Sequence, residues 1–228
     1  MNLCIIPARG GSKRIPRKNI KEFHGKPMIA YSIEAAKESG CFDRVIVSTD
    51  DAEIAEVAKL WGAETPFFRP DNISDDYATT MDVIQHAIEW CENQGWKIDN
   101  VCCIYATAPF VQATDIKCGL TLLAESDIKY AFSATSYAFP IQRAFYLDEN
   151  EHVNMFQPEH INTRSQDLIE AYHDAGQFYW GKVSAFKAGL AFFAPHSKPV
   201  LLPRKRVQDI DTLEDWEIAE VMYTALSK

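Results

Sequence analysis

Two hydrophobic patterns alternate along residues 1–135. Short apolar runs, typical of buried strands, are separated by stretches in which apolar residues recur every three to four positions, as in amphipathic helices. This alternation predicts an α/β fold with a mostly parallel central sheet and helices on both faces. The predicted strands are 2–7, 44–48, 64–68, 101–105 and 131–135, and the predicted helices are 27–38, 52–61, 79–91 and 114–123.

Local residues mark the ends of several predicted helices. Pro27 stands in the first turn of its helix, and Gly40 follows the last turn. Asp50 or Asp51 is placed to cap the next helix, which Gly62 ends. These signals agree with the helix limits that the apolar pattern predicts.

The pattern changes after residue 129. Residues 137–175 are rich in aromatic side chains, polar groups and turn formers, and they follow neither period. We expect this segment to leave the sheet as an excursion with short strands and one short helix. Strands at 177–180 and 199–202 and a helix at 212–226 then complete a single domain that spans residues 1–228.

The bulk composition excludes several classes of protein. The chain has 228 residues, of which 47% are hydrophobic and 24% charged, as is ordinary for a soluble globular protein. Its apolar runs are far shorter than a membrane span, and its first residues lack a signal peptide, so we expect a cytoplasmic protein without membrane contact. A net charge of −9 argues against nucleic acid as a partner. The six cysteines show no C-x-x-C pair and are expected to be reduced.

A basic, glycine-bearing loop follows the first strand directly. Residues 9–18 carry five Arg or Lys side chains within an acidic protein, so an anionic partner is needed. Gly10 and Gly11 allow the backbone to approach a ligand closely and to direct its N–H groups at that ligand. The loop is expected at the carboxyl edge of the sheet, where α/β folds bind ligands. The pattern therefore predicts a triphosphate cradle.

This loop differs from the known phosphate-loop patterns. In the P-loop a lysine precedes the hydroxyl residue and a helix starts at once, whereas here Ser12 precedes Lys13 and Pro16 prevents an early helix. It is not a G-x-G-x-x-G sequence either, which disfavours a dinucleotide fold. A solvated basic loop is the alternative, and the combination of glycine placement and charge density argues against it.

Two further positions carry candidate chemistry. Asp209 and Asp211 stand two residues apart before the last helix, a spacing that puts both carboxylates on one side of an extended segment. Mg²⁺ prefers one or two carboxylates together with phosphate oxygens and water, although Asp211 or Thr212 could instead simply cap the helix. Arg69, at a strand end, suits a nucleobase or phosphate contact, with a surface salt bridge as the alternative.

Four segments resemble the acylneuraminate cytidylyltransferases, the CMP-sialic acid synthetases, in order and spacing. They are IPARGGSKRIPRKN at 6–19, VSTDD at 47–51, FRP at 68–70 and QDIDT at 208–212. The resemblance covers nearly the whole chain and implies a fold like that of the nucleotide-diphospho-sugar transferases, with 137–175 as a protruding dimerisation segment. It implies a homodimer that converts CTP and a nine-carbon 2-keto sugar acid into a CMP-sugar and pyrophosphate with Mg²⁺.

The resemblance also implies roles for individual residues. The catalytic cations would be Arg9, Lys13 and Lys18. The nucleotide would contact Arg9, Gly10, Ser12, Lys13, Asn19, Arg69 and Thr80. The sugar would contact Tyr105, Thr107, Gln177 and Tyr179, with Arg164 supplied by the partner subunit. The metal ligands would be Asp209 and Asp211.

Two segments that face the sugar in this family depart from its sialic acid members. Residues 105–111 read YATAPFV where those members have a stretch like QPTSPLR, and residues 171–180 read AYHDAGQFYW in place of an RPNG-like stretch. The pattern is similar to the pseudaminic acid branch, whose less hydroxylated substrate suits a more aromatic pocket. Sialic, legionaminic and 3-deoxy-octulosonic acids are alternative substrates. A glycosyltransferase of similar fold is a more distant alternative. The Arg/Lys-rich loop argues against it, because the diphosphate donor of a glycosyltransferase needs less positive charge at this position.

Overall fold

The computed structural model describes residues 1–75 and 77–227, in ten strands and six α-helices. The strands are β1 (Asn2–Pro7), β2 (Glu22–Phe23), β3 (Lys26–Pro27), β4 (Arg44–Ser48), β5 (Asn100–Ile104), β6 (Tyr130–Ser136), β7 (Phe145–Leu147), β8 (Val153–Met155), β9 (Tyr172–Lys182) and β10 (Ser197–Leu201). The helices are α1 (Met28–Ser39), α2 (Ala52–Leu60), α3 (Thr80–Asn93), α4 (Ala113–Leu123), α5 (Val183–Lys187) and α6 (Leu213–Leu226).

Six strands form the central sheet in the order β10-β6-β9-β5-β1-β4. The pairs β1–β4, β1–β5 and β6–β10 are parallel, whereas β9 is antiparallel to both β5 and β6. All strands of this sheet except β9 therefore point the same way, and their carboxyl ends share one edge. The prediction of a mostly parallel sheet is confirmed.

Helices cover both faces of the sheet. Helices α1, α2 and α4 pack on one face through side chains such as Ile33, Ile54 and Ile116. Helices α3 and α5 pack on the other through Ile84 and Phe186. A third cluster lies between α6 and the segment after β1; its buried members are Ile15, Phe23, Met28, Tyr31, Phe110, Ile210, Trp216 and Ala219. This cluster fixes the 209–211 segment beside the basic loop.

The capping residues account for where these helices begin. Asp51 accepts hydrogen bonds from the N–H groups of Glu53 and Ile54, each at 3.0 Å, so the capping residue of α2 is Asp51. Thr79 and Thr212 each form a capping box with the acidic residue three positions later, at the starts of α3 and α6. The predicted starts of these helices are confirmed to within one residue.

Two strand predictions need correction. Residues 64–68 form only single bridges at their two ends, Glu64 to Ile46 and Phe68 to Thr49, because Pro66 between them has no N–H to donate to a ladder. The strand predicted at 177–180 is longer, since β9 already begins at Tyr172.

The excursion therefore spans 137–171 rather than 137–175. It contains the β7–β8 hairpin, and in place of the one short helix expected there it has 3-10 turns at 141–143, 158–160 and 165–167. Helix α5 escaped prediction because its five residues are too few to show a period. Within the described residues, every helix is too short or too polar to cross a lipid bilayer.

Candidate active site

A cleft of about 370 Å³ opens at the carboxyl edge of the sheet. Its walls come from the loop after β1, the first turn of α3, the residues after β5 and the segment before α6. The predicted site residues that line it are Arg9, Ser12, Lys13, Lys18, Asn19, Arg69, Thr80, Tyr105, Thr107, Asp209 and Asp211. The fold thus gathers most residues that were singled out for the nucleotide, the sugar and the metal.

Gly10 braces the basic loop from behind the cleft. Its N–H donates to Asp50 Oδ1 at 2.9 Å, and a Cβ at this position would lie 2.7 Å from Asp51 Oδ2. Only glycine therefore fits between the loop and the two carboxylates that follow β4. The structure places Gly10 outside the cleft lining, with its N–H committed to the protein.

Asn19 and Lys18 tie the end of the loop to its surroundings. The buried Asn19 donates from Nδ2 to the carbonyl of Arg9 at 2.9 Å and so closes the loop on itself. Lys18 Nζ donates to the carbonyl of Ile210 at 2.5 Å and lies 3.2 Å from Asp211 Oδ1. The loop cations and the carboxylate segment consequently form one wall of the cleft.

Arg69 is a buried cation in this wall. Its side chain is only 4% exposed, and Nη2 lies 3.8 Å from Asp50 Oδ1, beyond hydrogen-bond distance. Nε and Nη2 have no hydrogen-bond partner among the described residues, and burial lowers the pKa of the guanidinium. Buried donors without partners are costly, so this position is suited to a ligand that accepts hydrogen bonds.

Asp209 and Asp211 offer a carboxylate pair that fits a divalent cation. Asp209 is exposed as a whole residue, yet desolvation of its carboxyl group, and next the charge of Asp211, raise its pKa. A bound cation would relieve that repulsion, and oxygen ligands are those that Mg²⁺ prefers. No cluster of three or more metal-ligating side chains occurs within 1–75 and 77–227. The remaining ligands would therefore be substrate phosphates and water.

The predicted sugar residues divide into two groups. Tyr105 and Thr107 line the cleft, while the structure places Tyr179 behind Tyr105, with ring centroids 5.3 Å apart. Gln177 is buried and donates from Nε2 to the carbonyl of Arg206 at 2.5 Å. Arg164 lies on the 137–171 segment and pairs with Asp167 at 2.7 Å. Its reach into a partner subunit stays a prediction.

Of the positions in 105–111 that differ from the sialic acid members, Tyr105 and Ala106 line the cleft, and Tyr105 carries the change from a polar to an aromatic side chain. Val111, Phe178 and Trp180 lie in the core under α1, α2 and α4, and Trp180 Nε1 donates to the carbonyl of Ile116 at 2.9 Å. Alternation along β9 sends these aromatic neighbours of Tyr179 to the opposite face of the sheet. The expectation that the 171–180 segment as a whole faces the sugar is therefore wrong for Phe178 and Trp180.

Several residues of the site were missed in the sequence. Asp50 and Asp51 brace the loop, and their position directly after β4 at the ligand-binding edge was the available signal. Arg14 donates to Asp211 Oδ2 at 2.8 Å and belongs to the same basic loop.

A glycine-bearing cationic loop and paired carboxylates lie side by side in a cleft at the carboxyl edge of an α/β sheet, an arrangement suited to a nucleotidyltransferase. The chain belongs to the cytidylyltransferase family, whose model matches residues 3–206. It is 53% identical over 222 residues to the pseudaminic acid cytidylyltransferase of Campylobacter jejuni, covering 97% of this chain and 96% of that protein. It is 30% identical to the CMP-N,N'-diacetyllegionaminic acid synthase of Legionella pneumophila, covering 96% and 94%.

The fold is also similar to a solved structure. The CMP:2-keto-3-deoxy-manno-octonic acid synthetase complexed with CTP matches with a TM-score of 0.71 over 98% of both chains. Because the two sequences are only 16% identical, this likeness shows the fold alone. The family match removes the glycosyltransferase alternative.

Proposed function

We propose that this protein transfers the cytidylyl group of CTP to the C2 hydroxyl of pseudaminic acid, giving CMP-pseudaminic acid and pyrophosphate. The observation that carries the proposal is that one cleft is lined both by the loop cations and by Asp209 and Asp211. The sugar follows from the 53% identity to a pseudaminic acid cytidylyltransferase, against 30% to a legionaminic acid synthase.

The chemistry is an in-line displacement at the α-phosphorus of CTP. A bond forms between the C2 oxygen and that phosphorus, the bond to the pyrophosphate oxygen breaks, and the hydroxyl proton passes to solvent water. Negative charge grows on the pyrophosphate as it departs. Arg9, Lys13 and Lys18 line the cleft where this charge would lie, so they would act by positioning and electrostatic stabilisation.

Asp209 and Asp211 would hold Mg²⁺ at the rim of the cleft. The ion would neutralise phosphate oxygens and thereby favour attack at phosphorus. Lys18 and Arg14 both contact Asp211, at 3.2 and 2.8 Å, so they hold this carboxylate in place at the cleft. Asp211 is thereby pre-positioned beside the proposed triphosphate cradle.

Tyr105 supports a preference for pseudaminic acid over sialic acid. It lines the cleft where sialic acid members carry a glutamine, so the site loses an amide that could bond to the glycerol hydroxyls. Its ring offers apolar surface suited to the methyl terminus of a 9-deoxy sugar.

We further propose a homodimer that forms through residues 137–171. This segment exposes several large apolar side chains, among them Phe139 (83%) and Ile169 (84%). Exposed apolar surface of this extent on one segment favours a protein interface. The dimer would bring Arg164 to the partner's cleft.

The protein is further proposed to act in the cytoplasm. All six cysteines are free thiols, and four of them are buried, as expected in a reducing compartment.

Pyrophosphate release from CTP with a panel of 2-keto sugar acids tests the function. We expect kcat/KM for pseudaminic acid to exceed that for N-acetylneuraminic acid at least about a hundredfold, because several polar contacts would go unmatched. Legionaminic acid, which shares the 9-deoxy terminus, should fall between them or fail. Equal rates with sialic acid would refute the proposed preference for pseudaminic acid, while the proposed cytidylyl transfer would stand. No release with any acid would refute both.

A further inference from the structure

The segment that carries Asp209 and Asp211 is held at both of its ends. Downstream of Asp209, Ile210 is fully buried in the cluster beside α6, and Asp215 accepts from the N–H of Asp211 at 3.1 Å. Upstream, the chain leaves β10 and makes a 3-10 turn at Arg204–Arg206. This turn ends three residues before Asp209, so its position limits where the first carboxylate can lie.

A buried ion pair fixes the last residue of this turn. Arg206 Nη1 donates to Asp115 Oδ2 at 2.6 Å, and Nη2 donates to Oδ1 at 3.3 Å as a second, weaker contact. The two side chains are only 13% and 15% exposed. Asp115 belongs to the first turn of α4, where the helix dipole favours a negative charge. A two-point contact away from water sets both the position and the direction of the guanidinium.

Two buried side chains hold the backbone of the same region. Gln177 on β9 donates from Nε2 to the carbonyl of Arg206 at 2.5 Å. Thr135 on β6 donates from Oγ1 to the carbonyl of Leu202 at 2.8 Å. Gln177 is 3% exposed and Thr135 is 1% exposed. Residues 202–206 are thereby attached to β6, β9 and α4.

The side chain of Gln177 points to this turn and is closed off from the cleft. Tyr105 and Thr107 line the cleft, whereas Gln177 lies outside its lining. Its Oε1 is buried and has no hydrogen-bond partner among the described residues, so solvent in the cleft does not reach it either. A sugar contact would need this amide to open into the cleft, whereas the hydrogen bond that it makes holds the turn.

The hold on Arg206 reaches Asp209 because the chain between the two anchors is short. Arg206 and Ile210 are four residues apart and both are fixed, so Asp209 has little freedom between them. Mg²⁺ requires near-ideal octahedral geometry, with its oxygen ligands at about 2.0–2.1 Å. A small displacement of Asp209 relative to Asp211 therefore weakens the binding of such an ion.

We propose that Arg206, Asp115 and Gln177 are positioning residues that set the place of Asp209 in the metal site. They lie behind the cleft and act through the backbone of the 3-10 turn. Gln177, which the family resemblance assigns to the sugar, thereby serves the metal carboxylates instead. The inference rests on the proposed function in taking Asp209 and Asp211 as the metal ligands.

A pair of variants separates positioning from stability. Arg206→Met leaves the Asp115 charge buried and unpaired, so it should lower Tm strongly. Adding Asp115→Asn removes that charge, and Tm should recover in part. The Mg²⁺ concentration for half-maximal rate should nevertheless stay raised about tenfold or more in both variants, with kcat at saturating Mg²⁺ close to wild type. A purely structural pair predicts that the Mg²⁺ requirement recovers together with Tm.

Two measurements read the site without turnover. Mn²⁺ binding, with and without CTP, is followed by the electron paramagnetic resonance signal of the free ion, and the double variant should bind Mn²⁺ about tenfold more weakly or worse. Hydrogen exchange of the 207–212 backbone should be faster in this variant, because one of the two anchors is lost. Exchange in β1 and β5, which lie outside the anchored region, should be unchanged.

Gln177→Met tests the amide, since methionine keeps the length of the side chain and removes the donor. We expect the Mg²⁺ requirement to rise and the KM for the sugar acid at saturating Mg²⁺ to stay the same. A contact to the sugar predicts the reverse. Lys26→Met is the control: it breaks the half-buried pair with Glu34 on α1, so it should lower Tm and leave the Mg²⁺ requirement unchanged.

The outcomes distinguish this inference from the proposed function. If no sugar acid reacts, the function proposal fails, and Mn²⁺ binding together with hydrogen exchange still decides the role of Arg206. If the wild type and the double variant bind Mn²⁺ equally and show the same Mg²⁺ requirement, the inference is overturned while cytidylyl transfer stands. A raised sugar KM with an unchanged Mg²⁺ requirement in Gln177→Met would return Gln177 to the sugar and overturn its positioning role.

Discussion

Arg17 donates two hydrogen bonds to Asp51, from Nη1 to Oδ2 at 2.5 Å and from Nη2 to Oδ1 at 2.9 Å. A further hydrogen bond from Nη2 reaches Glu53 Oε2, and Arg17 itself adopts a left-handed conformation with φ of 57°. The pairing raises the pKa of Arg17 and lowers that of Asp51 to about 2, chiefly through their hydrogen bonds. One of the five loop cations thus holds the loop in shape instead of facing a phosphate.

Removal of the Arg17–Asp51 pair should make the basic loop less ordered and weaken its binding of CTP. We expect Arg17→Ala to raise the KM for CTP roughly tenfold, because hydrogen bonds to charged groups contribute about 1.5–3 kcal/mol each. In an Asp51→Ala background, Arg17→Ala should add little. Steady-state kinetics measure this, and Arg44→Ala, which breaks the exposed pair with Glu64 at the far end of β4, is the control. A KM that is the same in Arg17→Ala as in the control contradicts the role.

The same pair should make the protein sensitive to acid. Because the pKa of Asp51 falls from an unfolded value of about 3.9 to about 2, its contribution to stability is present above about pH 4. That contribution disappears as the pH falls toward 2. We expect Asp51→Asn to be less stable than wild type at pH 6 and the difference to shrink as the pH approaches 2. Denaturant unfolding across this range measures it, with Asp127→Asn as the charge control; a constant difference would exclude the linkage.

Arg9 and Lys13 should be far more important for catalysis than for folding. Both line the cleft, so Arg9→Ala and Lys13→Ala should each lower kcat/KM at least about a hundredfold through loss of charge-assisted contacts. Their Tm should stay close to wild type, because these two side chains line the cleft and are outside the hydrophobic clusters. Lys187→Ala, which removes a cation on α5 paired with Glu92, controls for the loss of charge. Wild-type turnover in either loop variant would show that the substituted residue is not one of the catalytic cations.

Activity should require a divalent cation. We expect a chelator to abolish pyrophosphate release and Mg²⁺ or Mn²⁺ to restore it. Asp211→Asn should be more damaging than Asp209→Asn, since Asp211 also holds Lys18 and Arg14. A titration of rate against Mg²⁺ for each variant separates weaker metal binding from lost catalysis. Full activity in metal-free protein would rule out the whole arrangement.

Much of this fold was predictable because short local sequence patterns determine where individual strands end and helices begin. The apolar runs of β1 and β4 end at Pro7 and Ser48, where the basic loop and the aspartates begin, and the strand limits follow. Thr79 and Thr212 start their helices through local capping boxes. The same edge of the sheet then had to hold both the basic loop and the 209–211 carboxylates.

The remainder depended on contacts between distant parts of the chain. Nothing near Asp174 in sequence shows that β9 bulges, since the bulge is held by Ser133 on another strand. Alternation puts Tyr179 and Trp180 on opposite faces, but which of the two faces the α3 side depends on how β9 pairs with β5 and β6, which are distant in sequence. Tyr105 was the informative position because it follows a predictable strand end.

Assembly of the site across two subunits gives a complementation test. If Arg164 serves the partner's cleft, Arg164→Ala and Arg9→Ala homodimers should both be nearly inactive. When equal amounts of the two variants are mixed and allowed to reassociate, half of the dimers contain one subunit of each variant. In each of these mixed dimers, one cleft has its own Arg9 and receives Arg164 from the partner subunit. Activity should therefore recover to about a quarter of wild type, as expected for two-fold assembly.

The same mixture distinguishes this arrangement from one in which Arg164 acts within its own subunit. If Arg164 acts within its own subunit, both clefts of a mixed dimer lack one arginine, and no activity returns. Phe139→Glu combined with Ile169→Glu places charges on the exposed apolar surface of residues 137–171, and it should abolish both dimerisation and recovery. Leu60→Glu, an equally exposed apolar side chain on α2, is the control and should reassociate normally. A fully active monomer in sedimentation at assay concentration would disprove the shared site.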